Sequence, residues 1–270
     1  MRLYHPPSRG VNAVGLPRRQ SHGYNPPMPE HYYLSPHLDD AVFSCGGLIA
    51  QQAAAGDRIT VLTVCAGDPP DGPLSDLAQG LHMLWQTEGS PVAARREEDL
   101  AACQRLGAST LHIPLPDAIY RFGSPSEPFY PTFTEIFGPL HPKEEGLLDE
   151  LAQILASQIP ADAAIYAPMA IGEHVDHRLT RMAAERLGRP LRFYRDLPYA
   201  FRDGKPAPEL GIPSGTELRI KLSPDEIDAW AAAILDYPSQ VPSFWESDDE
   251  VRKELQSMYA LHDAWIVIET

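Results

Sequence analysis

From residue 31 onward, hydrophobic and polar positions switch repeatedly between two patterns. Short apolar runs such as "RITVLTVCAG" and "AAIYAP" are separated by longer segments such as "EEGLLDELAQILASQI", in which apolar residues recur every three or four positions. The short runs are typical of parallel strands buried on both faces, and the longer segments are typical of amphipathic helices. The alternation therefore predicts βαβ units joined by right-handed crossovers.

The pattern predicts an α/β fold, a Rossmann-like open and mostly parallel sheet flanked by helices. Its five strands are "HYYLS", "RITVLTVCAG", "TLHIPLPD", "AAIYAP" and "LRFYRDLPY". Two strand-like and two helix-like segments after residue 200 predict a C-terminal α+β cap. We expect an N-terminal arm over 1–30 and a single domain over 31–270, with a core at 31–199 and the cap at 200–270.

The N-terminal arm differs from the rest of the chain. Residues 1–29 contain four arginines, six prolines and no acidic residue, on a protein whose net charge is −15. Such a segment either stays disordered or wraps over its own domain or a neighbouring subunit. Its apolar residues, which include Leu3, Val11 and Leu16, favour wrapping.

The net charge limits which partners are expected, and the cysteines indicate the expected cellular compartment. A net charge of −15 argues against binding to nucleic acid or to an anionic membrane. No stretch is long and apolar enough for a membrane span, and the first thirty residues lack the apolar core of a signal peptide. Cys45, Cys65 and Cys103 are expected to be buried thiols in the cytoplasm. A homo-oligomer is left open.

Two long connections follow the second and third predicted strands. Residues 67–93 and 116–143 are rich in proline and in aromatic or large apolar side chains. Connections of this length are usually binding loops or disordered, and their aromatic content argues against disorder. The aromatic segment of the second connection either contacts a sugar, covers an acyl chain or forms a hydrophobic lid.

Two clusters of histidine and aspartate follow the first and fourth predicted strands. The first, "SPHLDD", contains His37, Asp39 and Asp40, and the second, "GEHVDH", is centred on "HVDH" at 174–177. A single aspartate here is best explained as a cap at a helix N-terminus, where the helix dipole stabilises a carboxylate. A cap does not explain two adjacent aspartates with a histidine.

The strand order decides whether the two clusters meet. In the order 3-2-1-4-5 the first and fourth strands are neighbours, and ligands bind in the crevice at their carboxyl ends. In that order, although not in the alternative 2-1-3-4-5, both clusters line one cleft. A His, carboxylate and His set suits a catalytic zinc with an open position for water. Non-haem iron oxygenases use a similar set, but this α/β pattern counts against their usual β-barrels.

The paired motifs carry a resemblance to a known family. "SPHLDDAVFSCGGLIAQQAAAGDRITVLTVCAGD", "RREEDLAACQRLG", "LPDAIYR" and "HVDH" stand in the order found in the LmbE-like/PIG-L family of zinc-dependent N-acetylglucosaminyl de-N-acetylases. The chain resembles that family over residues 31–195. "SPHLDDAV", "LHMLW" and "DAIYR" are most similar to the branch that deacetylates glycopeptide-antibiotic precursors. Leu38 replaces the proline common in the first motif.

The resemblance implies roles for individual residues. It implies that Zn²⁺, or another divalent ion such as Fe²⁺, is held by His37, Asp40 and His177. It implies Asp39 as the general base, because an aspartate that binds the metal cannot also be a free base. His174 would stabilise the oxyanion or protonate the leaving amine. Asp176 would hold a neighbouring histidine in its orientation.

The resemblance also implies that Arg95, Arg96 and Asp117 contact the substrate. The expected function is a hydrolase that removes an N-acyl group from an amino sugar or another small-molecule glycoconjugate, and the resemblance implies that this group is N-acetyl. The alternatives are a metalloamidase acting on a non-sugar acyl amine and a non-catalytic sugar-binding relative.

We also expect Gly46 and Gly47 to allow close packing of their helix against the sheet, and the helix start to keep both Asp39 and Asp40 ionised.

Overall fold

The computed structural model describes residues 28–87, 89–124, 127–202, 204–262 and 264–270. Its strands are β1 (Glu30–Ser35), β2 (Arg58–Thr63), β3 (Ser109–His112), β4 (Phe122–Ser124), β5 (Glu127–Pro128), β6 (Ala164–Pro168), β7 (Leu191–Tyr194), β8 (Thr216–Ile220) and β9 (Trp265–Glu269). Its α-helices are α1 (Asp40–Ala55), α2 (Asp76–Trp85), α3 (Pro91–Arg105), α4 (Phe133–Ile136), α5 (Glu145–Gln158), α6 (Val175–Glu185), α7 (Pro224–Ile234), α8 (Val241–Phe244) and α9 (Asp248–His262). The predicted arm falls largely on residues 1–27, which lie outside the described ranges.

Seven strands form one sheet in the order β3-β2-β1-β6-β7-β9-β8. The first five of these pair in parallel, and β9 runs antiparallel to both β7 and β8. The first five predicted strands therefore follow the order 3-2-1-4-5, with the first and fourth as neighbours. The mostly parallel α/β fold is confirmed.

The sheet separates two apolar layers because successive residues of a strand face opposite sides. On β1, Tyr33 packs into the layer with α1, α3 and α7, whereas Leu34 packs into the layer with α5 and α6. Val61 and Leu62 divide in the same way on β2. Burial on both faces explains why these strands appear as continuous apolar runs in the sequence.

Two features differ from the expected organisation. The C-terminal segments do not only cover the domain, because β9 and β8 extend the main sheet beyond β7. The connection at 67–93 contains the ten-residue helix α2, whose start is capped by the Ser75 hydroxyl accepting from the Ala78 amide. Periodicity did not reveal this helix, because only Ala78 and Trp85 of α2 are buried.

The glycine pair in α1 does allow close packing, but the partner is α7 and not the sheet. A Cβ on Gly46 would lie 3.0 Å from Nε1 of Trp230 and closer still to its Cδ1, and a Cβ on Gly47 would lie 2.7 Å from Leu222. Trp230 cannot easily give way, because it is buried and its Nε1 donates to the Val42 carbonyl at 2.8 Å. The expected packing against the sheet was wrong on this point.

The three cysteines are free thiols and are buried, as expected. No helix within the described ranges is both long and apolar enough to cross a membrane.

Replacement of Gly46 by alanine tests the contact between α1 and α7. Gly46→Ala is expected to lower the free energy of unfolding by about 1–3 kcal/mol, because the added methyl overpacks against Trp230. Gly80→Ala in α2 is the matched control: nothing lies within 4 Å of its Cβ position, so helix propensity should raise stability by up to about 1 kcal/mol. Urea unfolding followed by circular dichroism measures both. Equal stability of Gly46→Ala and the parent would contradict the packing described.

Candidate functional site

The two histidine–aspartate clusters meet because β1 pairs with β6. His37 follows the end of β1, and the "HVDH" segment begins α6 after β6. Nε2 of His37 lies 3.0 Å from Oδ2 of Asp176, a contact between residues 139 positions apart in the chain. The predicted juxtaposition of the clusters is therefore present in the structure.

Within this cluster, three potential ligand atoms converge. Nδ1 of His37 lies 3.1 Å, and Nε2 of His177 3.2 Å, from Oδ2 of Asp40. One ligand atom from each of the three residues lies within 4.8 Å of those of the others. Nε2 of His177 is buried and not aligned for a hydrogen bond to any group in the described part of the chain. Two imidazoles, one of which has an unsatisfied buried nitrogen, and a carboxylate fit the donor set of a divalent metal ion.

The start of α1 is capped by a residue that the sequence analysis did not single out. Asp39 occupies the N-cap position, but its side chain makes no capping hydrogen bond. The hydroxyl of Ser35 instead accepts from the Ala41 amide at 2.9 Å and donates to the His37 carbonyl at 2.6 Å. The side chain of Asp39 lines the cavity instead, so the alternative explanation of a helix cap does not apply to Asp39.

Asp39 and Asp40 are chemically distinct despite being adjacent. Burial and the neighbouring Asp40 raise the pKa of Asp39 to about 7, although Arg95 donates to its Oδ2 at 3.3 Å. For Asp40, burial alone would raise the pKa, but His177 and His37 hold it well below the usual range. We expected the helix start to keep both carboxylates ionised. Instead, the surrounding charges shift the pKa values of the two carboxyl groups in opposite directions.

A tight turn delivers the second cluster to the cavity. Ala170, Gly172 and Glu173 have φ values of 56°, 93° and 68°, in the left-handed region. A Cβ on Gly172 would also collide with the ring of Tyr199, so this position requires glycine. The turn ends at His174, which is the N-cap residue of α6.

The hydrogen bonds of His174 assign its tautomer. Its Nδ1 accepts from the Asp176 amide at 3.1 Å, so the proton of the neutral ring is on Nε2. Burial, together with the positive charge of His37, places the pKa of His174 well below its usual value. His174, which lines the cavity, is therefore a neutral imidazole with one N–H to donate.

Asp176 is held by groups on a different segment. Its Oδ1 accepts from Nη1 of Arg121 at 2.6 Å, and its Oδ2 accepts from the Ala118 amide at 2.9 Å. Burial alone would raise the pKa of Asp176, but Arg121 and His37 hold it well below the usual range. Atoms of His37, Cys65 and Asp176 also converge, but both oxygens of Asp176 are already engaged.

Two charged residues of this site were missed from the sequence. Asp196 follows β7, is completely buried, and its Oδ1 lies 2.7 Å from Nδ1 of His177. Arg121 connects Asp176 to Glu144, to whose Oε1 it donates at 2.7 Å. The only available signal for Asp196 was its place after a third neighbouring strand. Arg121 stands within the "LPDAIYR" segment, but no periodicity indicated that its charge would be buried.

The predicted substrate-contact residues separate into two groups. Arg95 and Asp117 line the cavity, and the Arg95 guanidinium lies 4.8 Å from the ring centroid of Trp85. Arg96 does not line the cavity: it donates to the Ala66 carbonyl at 2.8 Å and to Asp68 at 3.0 Å. The cavity itself has a volume of about 240 Å³. Both long connections contribute to its wall, through Trp85 and Phe137 among others.

The chain is similar to proteins of known activity. The family model for PIG-L, described as GlcNAc-PI de-N-acetylase, matches residues 32–187. The 2'-N-acetylparomamine deacetylase of Niallia circulans is 32% identical over 188 residues, 62% of this chain and 66% of that protein. The enzyme of the same name from Streptomyces fradiae is 33% identical over 175 residues, 62% of this chain and 56% of that protein. The chain thus spans less than two thirds of the length of both curated relatives.

A solved structure shares the architecture over most of the chain. The zinc-inhibited form of teicoplanin deacetylase Orf2 superposes with a TM-score of 0.72 and 27% sequence identity. The superposition covers 89% of this chain and 98% of that one.

Removal of Arg121 tests the buried charge network. Arg121→Met is expected to lower the free energy of unfolding by about 3–5 kcal/mol, because Asp176 and Glu144 would remain buried without their cation. Arg105→Met removes an ion pair with Asp236 in which the arginine is 48% exposed, so a loss below about 1 kcal/mol is expected. Chemical unfolding of the two variants at pH 7 compares them directly. Similar losses in both would show that the network does not stabilise the fold.

Proposed function

The chain belongs to the PIG-L family, and on that premise we propose that it is a divalent-metal-dependent hydrolase that removes an N-acyl group from an amino sugar or glycoconjugate. The acetyl group is the favoured acyl group, because the similar proteins are named deacetylases. The observation that carries the proposal is the convergence of His37, Asp40 and His177 beside an aspartate that binds neither histidine.

His37, Asp40 and His177 would hold the ion, with Zn²⁺ as the proposed metal and Fe²⁺ as the alternative. With the ion bound, both imidazoles would be neutral, and two imidazoles with one carboxylate would leave positions open to substrate and water, as catalytic zinc sites do. When bound, the ion supplies Lewis acidity that polarises an amide carbonyl and acidifies water. Asp196 would support these ligands by fixing the orientation of the His177 ring. Nδ1 of His177 lies against the Asp196 carboxylate, and Nε2 of His177 points toward Asp40.

Asp39 is the proposed general base. Its carboxylate lines the cavity next to Asp40, and its raised pKa of about 7 matches the requirement for a group that accepts a proton near neutral pH. The Arg95 guanidinium limits the orientations of Asp39 by donating to Oδ2 at 3.3 Å. One carboxylate can thus accept the proton of the attacking water while the adjacent one remains a ligand.

His174 is proposed to stabilise the negative charge that develops on the amide oxygen. Its Nδ1 is engaged by the Asp176 amide, so Nε2–H is the group that remains available to the cavity. A neutral donor held in place before the reaction lowers the barrier without any reorganisation of the site. This arrangement favours oxyanion stabilisation over the alternative role of protonating the amine, which requires a charged imidazole.

Sugar contacts are proposed for Arg95 and Asp117. Both line the cavity, and Asp117 Oδ2 lies 3.6 Å from Nε2 of His37, which places its carboxylate beside the reacting groups. Arg96 is not retained among these contacts, because its guanidinium is bound outside the cavity wall.

Two variants separate chemistry from metal binding. Asp39→Asn is expected to retain a stoichiometric metal ion but to lose about 10²–10⁴-fold in kcat, because only the base is removed. His177→Ala should lose the metal as well as the activity. Elemental analysis and acetate release from N-acetylglucosamine glycosides measure the two properties. Parent-like turnover by Asp39→Asn would exclude the proposed role of the base.

A third variant tests the support of the metal ligand. Asp196→Asn preserves the size of the side chain but replaces the charged acceptor of the His177 ring. The affinity for Zn²⁺ is expected to fall by about 10–100-fold, measured by competition with a chromogenic chelator. Glu209→Gln, at a half-exposed residue that pairs with Arg178 and does not line the cavity, serves as control. Unchanged zinc affinity in Asp196→Asn would exclude this supporting role.

A further inference from the structure

The proposed metal ligand His37 is oriented by a carboxylate from the second cluster. Oδ2 of Asp176 lies 3.0 Å from Nε2 of His37, whereas Nδ1 of the same ring faces Asp40 at 3.1 Å. A hydrogen bond from Nε2–H to Asp176 leaves the lone pair of Nδ1 available to an ion, which is the tautomer that a ligand in this position requires. Asp176 therefore sets the tautomer and the orientation in which His37 faces Asp40.

Asp176 is in turn held by the second long connection, residues 116–143. Its Oδ1 accepts from Nη1 of Arg121 at 2.6 Å, and its Oδ2 accepts from the Ala118 amide at 2.9 Å. Asp176 is completely buried and Arg121 is 7% exposed, so water competes little with these bonds. The position of the connection thus decides where the carboxylate that orients the ligand lies.

Buried polar contacts continue from Arg121 along the connection. Nε of Arg121 donates to Oε1 of Glu144 at 2.7 Å, and the Tyr130 hydroxyl donates to Oε2 of Glu144 at 2.5 Å. The Arg121 guanidinium also lies 5.4 Å from the centroid of the Tyr130 ring. All three side chains are buried, and they tie the two ends of the connection to its middle. We define Arg121, Glu144 and Tyr130 as the buried clamp.

The connection that the clamp closes also forms part of the cavity wall. Asp117 and Ile119, on either side of Ala118 in the sequence, both line the cavity, as does Phe137 further along. The backbone that binds Asp176 therefore also carries side chains of the cavity. Any shift of this backbone changes the support of His37 and the shape of the wall together.

We propose that the buried clamp positions the metal ligand His37 through Asp176, and that a bound ion in return stabilises the second long connection. This inference rests on the metal site of the proposed function. The two effects are reciprocal by thermodynamic linkage: if the closed connection raises the metal affinity, the bound metal favours the closed connection by the same factor.

Stabilisation of the fold alone is the simpler explanation for a buried group of charges, although such groups are weak evidence for it. That explanation predicts a change in the free energy of unfolding when the clamp is altered, but no change in the metal affinity of the folded protein. The positioning role predicts that metal affinity and coordination geometry change while the protein remains folded. Measurements on the folded, metal-loaded protein therefore separate the two explanations.

A conservative replacement in the clamp tests the positioning role. Arg121→Lys keeps the positive charge, but a compact ammonium lacks the fork with which the guanidinium binds Asp176 and Glu144 together. The affinity of the folded protein for Zn²⁺ is expected to fall about tenfold, measured by competition with a chromogenic chelator. The visible absorption bands of bound Co²⁺ should also shift, because they report on coordination geometry. Parent-like zinc affinity and a parent-like cobalt spectrum would overturn the positioning role.

Two buried tyrosines of the same connection provide a milder, matched pair of variants. Tyr130→Phe removes only a hydroxyl of the clamp, and zinc affinity is expected to fall about threefold, because Tyr130 acts two contacts further from His37 than Arg121 does. Tyr120→Phe is the control: the Tyr120 hydroxyl lies 2.5 Å from Nε2 of His82 in α2, outside the clamp. Zinc affinity should be unchanged in this control. Equal affinities in the two variants would contradict the proposal.

Hydrogen exchange of the full chain, with and without Zn²⁺, tests the reciprocal effect. Zinc should slow the exchange of amides in residues 117–144 about tenfold in the parent, and by a smaller factor in Arg121→Lys. Helix α9 is the internal control, because only Val251 and Leu255 of this helix are buried and they belong to a different apolar cluster from Tyr130. Equal protection of α9 and of residues 117–144 would indicate general stabilisation and overturn the coupling.

Activity separates this inference from the proposed function. Clamp-dependent zinc binding without any deacetylation of N-acetylglucosamine glycosides would leave the coupling standing and overturn the proposed function. Deacetylation by a protein whose metal affinity does not depend on the clamp would overturn the coupling alone. Absence of any stoichiometric metal after incubation with Zn²⁺ would overturn both.

Discussion

The backbone hydrogen bonds between β1 and β6 are the constraint on which the candidate site depends. They hold together the carboxyl ends of two strands whose sequences are more than a hundred residues apart. The loops that follow these strands carry the two histidine–aspartate clusters, so the clusters face each other because of the strand order and not because of any local motif. If β6 were elsewhere in the sheet, "SPHLDD" would be only the beginning of a helix.

The juxtaposition concentrates carboxylates in a buried volume, and the structure compensates for this in unequal ways. Asp176 is neutralised by Arg121, and Asp40 lies against two histidines. Asp39 has only a longer contact with Arg95, so burial raises its pKa. Residues of one chemical type thus acquire different protonation behaviour from their surroundings, as acids and bases in enzyme sites require. A site with this excess of negative charge is also suited to a divalent cation.

The two long connections add apolar side chains to the cavity that the two charged clusters line. They are not unstructured loops: one contains α2, the other contains the hairpin of β4 and β5 together with α4, and both are anchored by buried aromatic or apolar residues. Their apolar side chains, including Trp85 and Phe137, line the cavity together with the two clusters. In the proposed function the two clusters would carry out the reaction, and the apolar part of the wall would contact the rest of the substrate.

The sequence by itself determined the class of fold and the two histidine–aspartate clusters, and it left two strand orders open, between which the structure decided. Apolar periodicity reports burial, and burial on both faces of a strand is visible in a few consecutive residues. Motif spacing also placed His37 and His177 together once the order of the strands was assumed.

Only the tertiary structure decided which groups surround that centre. Asp196 and Arg121 act through partners that are distant in the sequence, and neither belongs to a periodic pattern. In the same way, β8 and β9 could be recognised as strands but not assigned to the main sheet, and Gly46 could be expected to pack closely but not against Trp230. Local patterns record whether a side chain is buried; the identity of its partner is set by how distant segments pack against one another.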